Sequence, residues 1–191
     1  MKRLAIFVSG NGTNMERISS SFANHPQIKV ALMLCNKAGA GAFGRAERLG
    51  IPGMLITKDQ LGDGEHLVAL LRERQIDWLI LAGFLKLIPP SLLRAFPNRI
   101  INIHPALLPD YGGKGMYGEK VHQAVIANGE KFSGITIHYV NEQYDEGDII
   151  FQHKLELQPG ESPQSLAGRI HQLEYKYYPE VIERLVLADD F

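Results

Sequence analysis

The sequence predicts an α/β fold in which most strands of an open sheet run parallel. Apolar runs of strand length alternate with segments of helical periodicity over the first 104 residues. The first run, residues 4–8, is apolar throughout, which is typical of a strand that helices cover on both faces. After residue 110 the alternation ends, and two strands joined by a short loop precede a long final helix. We therefore expect a parallel sheet with helices on both faces and an antiparallel C-terminal addition.

Five strands and four helices make up the predicted parallel part. The strands are residues 4–8, 28–34, 52–56, 78–81 and 99–104. The helices are a segment with apolar residues at positions 15, 18 and 22, residues 38–49, residues 61–74, and a segment that Ser91 caps and Pro97 stops.

The second part of the chain begins with a loop, residues 111–118, that holds four glycines in eight residues and is predicted to be mobile. A helix over residues 120–127 follows, and Asn128-Gly129 closes it. Two strands, residues 133–140 and 148–156, are joined by a loop around Asp145-Glu146-Gly147. The last helix, residues 165–187, is expected to bend or break near Pro179. No linker, repeat or low-complexity tract interrupts the sequence, so we expect one domain over residues 1–191, with halves at 1–100 and 101–191.

Composition excludes several classes of function. With 45% apolar residues and a net charge of −1, the sequence is ordinary for a soluble protein and carries no basic footprint for nucleic acid or an anionic membrane. Cys35 is the only cysteine, which excludes an internal disulfide and a cysteine-cluster zinc site. The seven histidines lack metal-ligand spacing, so we expect no metal. No run is long enough for a signal peptide or a membrane span, so we expect a cytoplasmic protein.

The most informative stretch is Ile100-Ile101-Asn102-Ile103-His104-Pro105, a short apolar strand that carries two polar side chains. Asn102 and His104 point to the same face because side chains alternate along a strand. Either they are core residues hydrogen-bonded to the backbone, or they belong to a functional site. Their position at the carboxyl end of a strand, where open α/β sheets bind ligands, favours the functional interpretation.

A second candidate is Ser9-Gly10-Asn11-Gly12-Thr13-Asn14, between the first strand and the first helix. It lacks the third glycine of a dinucleotide fingerprint and the Gly-Lys-Ser/Thr of a nucleoside triphosphate loop. One interpretation is a tight turn with an Asn or Thr cap. The other is a monophosphate site at a helix N-terminus, with Gly12, Thr13 and Asn14 as donors.

Asp145 and His138 leave two interpretations open. An acidic turn such as the one around Asp145 is commonly a solvated loop, and we interpret His138 as a core histidine whose hydrogen bonds are satisfied. If Asp145 lies beside Asn102 and His104, its carboxylate is expected to raise the pKa of the imidazole. The amide and the imidazolium would then donate to a developing oxyanion, with Asp145 passing protons through a water.

Taken together, these motifs resemble those of the folate-dependent formyltransferases. The resemblance rests on Asn102-Ile103-His104-Pro105 with Leu107-Leu108-Pro109, and on His138-Tyr139-Val140 leading to Asp145-Glu146-Gly147. The loop at residues 9–14 narrows it to members that act on glycinamide ribonucleotide in purine synthesis. It implies the Rossmann-like formyltransferase fold, and 10-formyltetrahydrofolate as the formyl donor without a metal.

The resemblance also implies roles for individual residues. Asn102, His104 and Asp145 would be catalytic, within a catalytic and folate-binding second half. The ribonucleotide would contact Gly10, Asn11, Gly12, Thr13, Asn14 and Glu174. The folate would contact Leu85, Lys86, Leu87, Ile88, Tyr144 and Glu146. The family often supplies an arginine to the phosphate after the third strand; here Lys58 is the candidate substitute.

Three rival functions remain to be compared. A formyltetrahydrofolate deformylase or a methionyl-tRNA formyltransferase would share the three catalytic residues, but each usually carries an extra domain, and a tRNA substrate fits poorly with a net charge of −1. A non-catalytic nucleotide-binding module would use only the first loop. We expect small-molecule partners only, in a monomer or homodimer.

Overall fold

The computed structural model describes residues 1–188, and these form a mixed sheet surrounded by helices. The strands are β1 (Lys2–Val8), β2 (Ile28–Cys35), β3 (Gly53–Leu55), β4 (Trp78–Leu81), β5 (Ile100–His104), β6 (Phe132–Tyr139) and β7 (Ile149–Glu156). The helices are α1 (Thr13–Ser21), α2 (Gly41–Arg48), α3 (Lys58–Asp63), α4 (Glu65–Glu73), α5 (Pro90–Ala95), α6 (Glu119–Ala127) and α7 (Pro163–Ala188).

The sheet has seven strands in the order β3-β2-β1-β4-β5-β6-β7. Strands β1 to β5 pair in parallel, whereas β5 pairs with β6 and β6 with β7 in antiparallel fashion. This confirms the predicted α/β fold with its antiparallel C-terminal addition. The chain moves outward from β1 through β2 to β3 and then returns to β4 on the other side of β1. That reversal opens a crevice at the carboxyl ends of β1 and β4, where ligands bind in open α/β sheets.

Helices cover both faces of the sheet, as its apolar strands require. Residues 4–8 of β1 are fully buried, and their alternate side chains enter two separate hydrophobic clusters. One cluster joins Leu4, Ile6 and Val8 to α1, α2, α6 and α7, and the other joins Ala5 and Phe7 to α4 and α5. Strand β1, which ends at the crevice, is therefore covered by helices on both faces. None of the helices formed by residues 1–188 is long and apolar enough to cross a membrane.

Several predicted helix boundaries were wrong. The segment at 61–74 belongs to two short helices, because a capping box at Thr57 begins α3 early and Gly64 separates it from α4. Helix α5 begins after Pro89, and Ser91 is not its cap; the Ser91 hydroxyl donates instead to the carbonyl of Asp63.

Two further helices differ from their predicted form. Helix α2 covers residues 41–48, because residues 38–40 form a turn. Helix α7 is continuous through Pro179, so the predicted break there is wrong. Its neighbour Tyr178 is fully buried and donates its hydroxyl to the carbonyls of Leu81 (2.8 Å) and Ile101 (3.3 Å), which ties the helix to the end of β4 and the start of β5.

Replacing Tyr178 with Phe is expected to destabilise the protein by about 1 kcal/mol, because a buried hydroxyl that bonds two strand carbonyls is lost. The measurement is the free energy of unfolding in urea. Tyr177→Phe is the control, since the Tyr177 ring packs against Phe151 and His153 at the outer face. Equal stability of the two variants would contradict the anchoring role of Tyr178.

Candidate active site

A cleft of about 980 Å³ lies at the carboxyl ends of β1, β4 and β5. Its walls come from the loop after β1, residues 82–86 after β4, Asn102 to Pro105, the glycine-rich loop, the loop containing Asp145, and α7. These segments come from both halves of the sequence. The sheet reversal between β1 and β4 therefore brings together the two sites that the sequence predicted separately.

Asn102, His104 and Asp145 meet at the base of this cleft. Asn102 Nδ2 lies 3.4 Å from Asp145 Oδ1, and His104 Nδ1 lies 3.5 Å from Asp145 Oδ2. The His104 ring is only 3% exposed, whereas Asn102 is half-buried. An amide, an imidazole and a carboxylate thus converge on one space, as predicted, and all three line the cleft.

A backbone carbonyl fixes the orientation of the His104 ring. His104 Nε2 lies 2.7 Å from the carbonyl oxygen of Tyr111, which can only accept, so Nε2 carries a proton and donates. In the neutral ring Nδ1 is therefore unprotonated and can accept a proton. Once Nδ1 gains that proton, it faces Asp145 and can donate to a ligand in the cleft.

The expected increase in the pKa of His104 was wrong. Burial lowers the pKa of His104, and this exceeds the opposing effects of the Asp145 charge and of the hydrogen bond to Tyr111. The ligand-free site therefore favours a neutral imidazole. For Asp145, burial raises the pKa, but the imidazoles of His138 and His104 and the N–H of Gly113 outweigh it and hold the pKa of the carboxyl below its ordinary value. Asp145 stays ionised beside the neutral ring.

The position of Asp145 depends on a tight turn between β6 and β7. Asp145 has a left-handed backbone conformation (φ 57°), which aspartate tolerates better than most residues. Two positions later the backbone passes so close to β6 that a Cβ on Gly147 would lie 1.7 Å from the carbonyl oxygen of Tyr139. Gly113 N–H donates to Asp145 Oδ2 at 3.0 Å, which links the glycine-rich loop to the carboxylate.

His138 is buried with its hydrogen bonds satisfied, as interpreted from the sequence, but it also belongs to the site. It lies directly opposite Asn102 in the β5–β6 pair. Its Nδ1 donates to the carbonyl of Tyr139 (2.8 Å), so in the neutral ring Nε2 accepts from Asn102 Nδ2 (3.1 Å). This contact directs the amide N–H₂ of Asn102 toward Asp145 and the cleft. No signal in the sequence indicated the β5–β6 register.

The loop after β1 lines the other end of the cleft. Residues 10–14 all contribute to its wall, and α1 begins at Thr13. The N-cap residue of α1 is Gly12 (φ 75°), and no side chain caps the helix by a hydrogen bond. The alternative of an Asn or Thr cap is therefore wrong. A Cβ on Gly12 would lie 2.8 Å from the Cβ of Ala42, so only glycine fits. The first backbone N–H groups of α1 are left for an anion.

A buried carboxylate lies at the same end of the cleft as the loop after β1. Glu174 on α7 is 4% exposed, accepts from Asn14 Nδ2 (2.9 Å) and lies 2.8 Å from His171 Nδ1. The hydrogen bond to Glu174 raises the pKa of His171 against the effect of burial. Asn14 Oδ1 and the buried His122 Nδ1 have no hydrogen-bond partner among the described residues 1–188. Sequence analysis did not identify His171, although its spacing of three residues from Glu174 on a helix was a usable signal.

The remaining predicted site residues differ in whether they line the cleft. Leu85, Lys86 and Tyr144 line the cleft, whereas Lys58, Leu87 and Ile88 are not among its lining residues. Ile88 is 3% exposed and packs in the core with α4 and α5, and Leu87 is an exposed neighbour of Leu85. Glu146 borders a smaller adjoining cavity of about 450 Å³ with Tyr144 and Asp145.

Lys37 is a cation of the cleft that the sequence did not indicate. It follows Asn36, whose Oδ1 accepts from the Ser9 hydroxyl at 2.6 Å, so it lies next to the first loop. Lys58, by contrast, is the first residue of α3. Among residues 1–188, no three His, Cys, Asp or Glu side chains are placed together to hold a metal ion.

Comparison with known proteins gives a consistent result. Residues 2–182 match the model of a family described as formyl transferase. The chain is 45% identical to a chloroplastic phosphoribosylglycinamide formyltransferase of Arabidopsis thaliana over 95% of this chain and 64% of that protein. It is 36% identical to the phosphoribosylglycinamide formyltransferase of Bacillus subtilis over 97% of this chain and 95% of that protein. The chain thus spans less than two thirds of the plant relative's length.

A solved structure shows the same fold. The crystal structure of glycinamide ribonucleotide transformylase 1 from Geobacillus kaustophilus superposes with a TM-score of 0.88 and 37% sequence identity. The match covers 97% of this chain and 99% of that one. The sheet order, with its antiparallel C-terminal pair, is therefore that of an experimentally observed fold.

The His104 imidazole is expected to titrate below its ordinary pKa of 6.5, because burial opposes its charge. Asp145→Asn removes the carboxylate that raises this pKa and should lower it further. NMR titration of the histidine ring signals measures both midpoints. A His104 midpoint above 6.5, or one that Asp145→Asn does not change, would contradict this electrostatic description.

Proposed function

The chain belongs to the formyl transferase family, and from this premise we propose that it transfers the formyl group of 10-formyltetrahydrofolate to the amine of glycinamide ribonucleotide. The observation that carries the proposal is the convergence of Asn102, His104 and Asp145 in one cleft with the loop after β1. The cleft, at about 980 Å³, lies at the upper end of the range of about 300–1,000 Å³ for small-molecule sites.

The ribonucleotide would occupy the end of the cleft formed by α1 and α7. Its phosphate would accept from the N–H groups of residues 10–14, which a helix N-terminus favours by charge as well as by hydrogen bonding. The partnerless Asn14 Oδ1 and the Glu174 carboxylate supply acceptors for hydroxyl or amine groups. Lys37 is a better placed candidate than Lys58 for a cation at the phosphate, because it lines the cleft.

The folate would enter from the opposite end. Leu85 and Leu87, each 44% exposed, present apolar surface after β4, and Lys86 and Tyr144 add polar groups at the rim. An aromatic ring system gains affinity by covering exposed leucines. Ile88 would support this wall from the core, and Glu146 would lie at its outer edge.

Formyl transfer begins when the neutral amine attacks the formyl carbon. A C–N bond forms, and the carbonyl oxygen becomes an oxyanion. Asn102 Nδ2 is positioned to donate to this oxyanion by exchanging its long 3.4 Å contact with Asp145 Oδ1, while its other hydrogen stays bonded to His138 Nε2. The unprotonated His104 Nδ1 takes the proton that the attacking nitrogen loses, directly or through a water.

The second step returns that proton to the leaving group. Asp145 stabilises the His104 imidazolium from 3.5 Å, so the ring can donate from Nδ1 to the oxyanion and then to the folate nitrogen. Protonation of that nitrogen lets its bond to the formyl carbon break. The products are the formylated ribonucleotide and tetrahydrofolate, and the enzyme regains a neutral His104. No covalent enzyme intermediate is required.

A single assay tests this function against its rivals. The protein is mixed with 10-formyltetrahydrofolate, with and without glycinamide ribonucleotide, while folate absorbance is followed. We expect a change only when the ribonucleotide is present. A change without the ribonucleotide would indicate a hydrolase, and no change under either condition would indicate a binding module; both results would contradict the proposal.

Removing either partner of the proton transfer should reduce turnover. His104→Ala and Asp145→Ala are each expected to lower kcat by about 10²-fold or more, the usual loss when an oxyanion donor or proton carrier is removed. His66→Ala and Asp59→Ala, which change exposed residues outside the cleft, are the matched controls. Steady-state kinetics give kcat for all four, and near-wild-type turnover in His104→Ala or Asp145→Ala would refute its assigned role.

A further inference from the structure

Arg45 lies on the outer side of the loop after β1 and is not among the residues that line the cleft. Its Nε donates to the carbonyl oxygen of Asn11 at 2.9 Å, and its terminal nitrogen pairs with Glu16 on α1. One side chain of α2 therefore binds both the loop and the helix that follows it. The Arg45 side chain is 27% exposed, so these contacts are partly shielded from water.

Three successive backbone carbonyls of this loop, those of residues 10–12, are held by groups outside the cleft. The N–H of Ala42 donates to Gly10 (3.3 Å), Arg45 donates to Asn11, and the N–H of Glu16 donates to Gly12 (2.9 Å). In a planar trans peptide the C=O of one residue and the N–H of the next point in opposite directions. Turning three carbonyls outward thus turns the N–H groups of residues 11–13 toward the cleft.

The three contacts differ in how they are made. Two come from backbone groups in α1 and α2, which any sequence with these helices would supply. The contact at Asn11 depends on a side chain alone, and it sets the direction of the Gly12 N–H. The peptide between Asn11 and Gly12 is also the central one of the three, between the two whose carbonyls the helices hold.

We propose that Arg45 is a positioning residue for phosphate binding, which keeps the Gly12 N–H directed at the ribonucleotide phosphate by holding the Asn11 carbonyl away from it. This inference rests on the proposed function. Arg45 also favours phosphate binding through its charge. Glu16 lies in the first turn of α1, and its pairing with Arg45 neutralises a carboxylate that would otherwise repel the phosphate, whereas the Arg48 side chain is 64% exposed and contributes little to this effect.

The kinetic test uses Arg45→Met, which keeps the apolar stem, with Arg48→Met as its matched control. Arg48 pairs with Glu16 at 3.2 Å but makes no contact with Asn11 among the hydrogen bonds of residues 1–188. Arg45→Met should raise KM for glycinamide ribonucleotide about tenfold or more, the size expected when one hydrogen bond from a charged group is lost. KM for the folate and kcat should change little, and Arg48→Met should resemble wild type.

A charge-conserving variant separates positioning from simple attraction. In Arg45→Lys the ammonium keeps the charge but lacks the separate nitrogens that bind Asn11 and Glu16 at once. We expect it to recover only part of the affinity. Full recovery, or equal KM values in Arg45→Met and Arg48→Met, would overturn the positioning role.

A second measurement does not depend on formyl transfer. Inorganic phosphate is titrated into each protein while the Gly12 backbone amide is followed by NMR. Wild type and Arg48→Met should show the same saturable shift, and Arg45→Met should need about tenfold more phosphate.

Equal binding by all three would overturn the inference about Arg45, whatever the enzyme's activity. If phosphate shifts Gly12 in the expected order but no formyl group is transferred, the proposed function fails and the role of Arg45 at the phosphate site stands. No response in wild type would overturn the phosphate site itself.

Discussion

The contacts of the Asp145 carboxylate are the interaction on which the site depends. A carboxylate removed from bulk water is costly unless it is paired or hydrogen-bonded, and Asp145 accepts from two separate parts of the chain, the Gly113 N–H and the Asn102 amide. The His104 ring lies beside the same carboxylate and pairs with it once Nδ1 is protonated. In the proposed mechanism, the same charge stabilises the proton that His104 carries during transfer. Structure and chemistry therefore use the same contacts, and a carboxamide at this position would weaken both.

The parallel part of the fold could be predicted because its signals are local. Residues 4–8 and 78–81 are apolar without interruption, and both proved to be buried strands. The side-chain alternation in β5 correctly placed Asn102 and His104 on one face. The errors in the helices came from contacts between distant residues. The role of Ser91, for example, depends on the carbonyl of Asp63, which no local pattern reveals.

The candidate site was predictable in its composition but less so in its electrostatics. Motif order indicated Asn102, His104 and Asp145, yet the sign of the His104 pKa shift was wrong, because the depth of burial is a property of the packed structure. His138 was assigned to the core for a related reason: its partner Asn102 lies across a strand pair whose register the sequence does not contain. Lys37, which follows β2, lines the cleft, and Arg45 on α2 bonds the first loop; both become neighbours of that loop only when the sheet forms.

The central claim is that one cleft presents the amide, the imidazole and the carboxylate to a formyl carbon between two bound substrates. The most direct measurement is a crystal structure with glycinamide ribonucleotide and an unreactive folate analogue bound together. We expect the ribonucleotide amine about 3–3.5 Å from the carbon that replaces the formyl group, with Asn102 Nδ2 and His104 Nδ1 facing its oxygen. A ternary complex in which either ligand lies outside the cleft, or in which that oxygen faces away from Asn102 and His104, would contradict it.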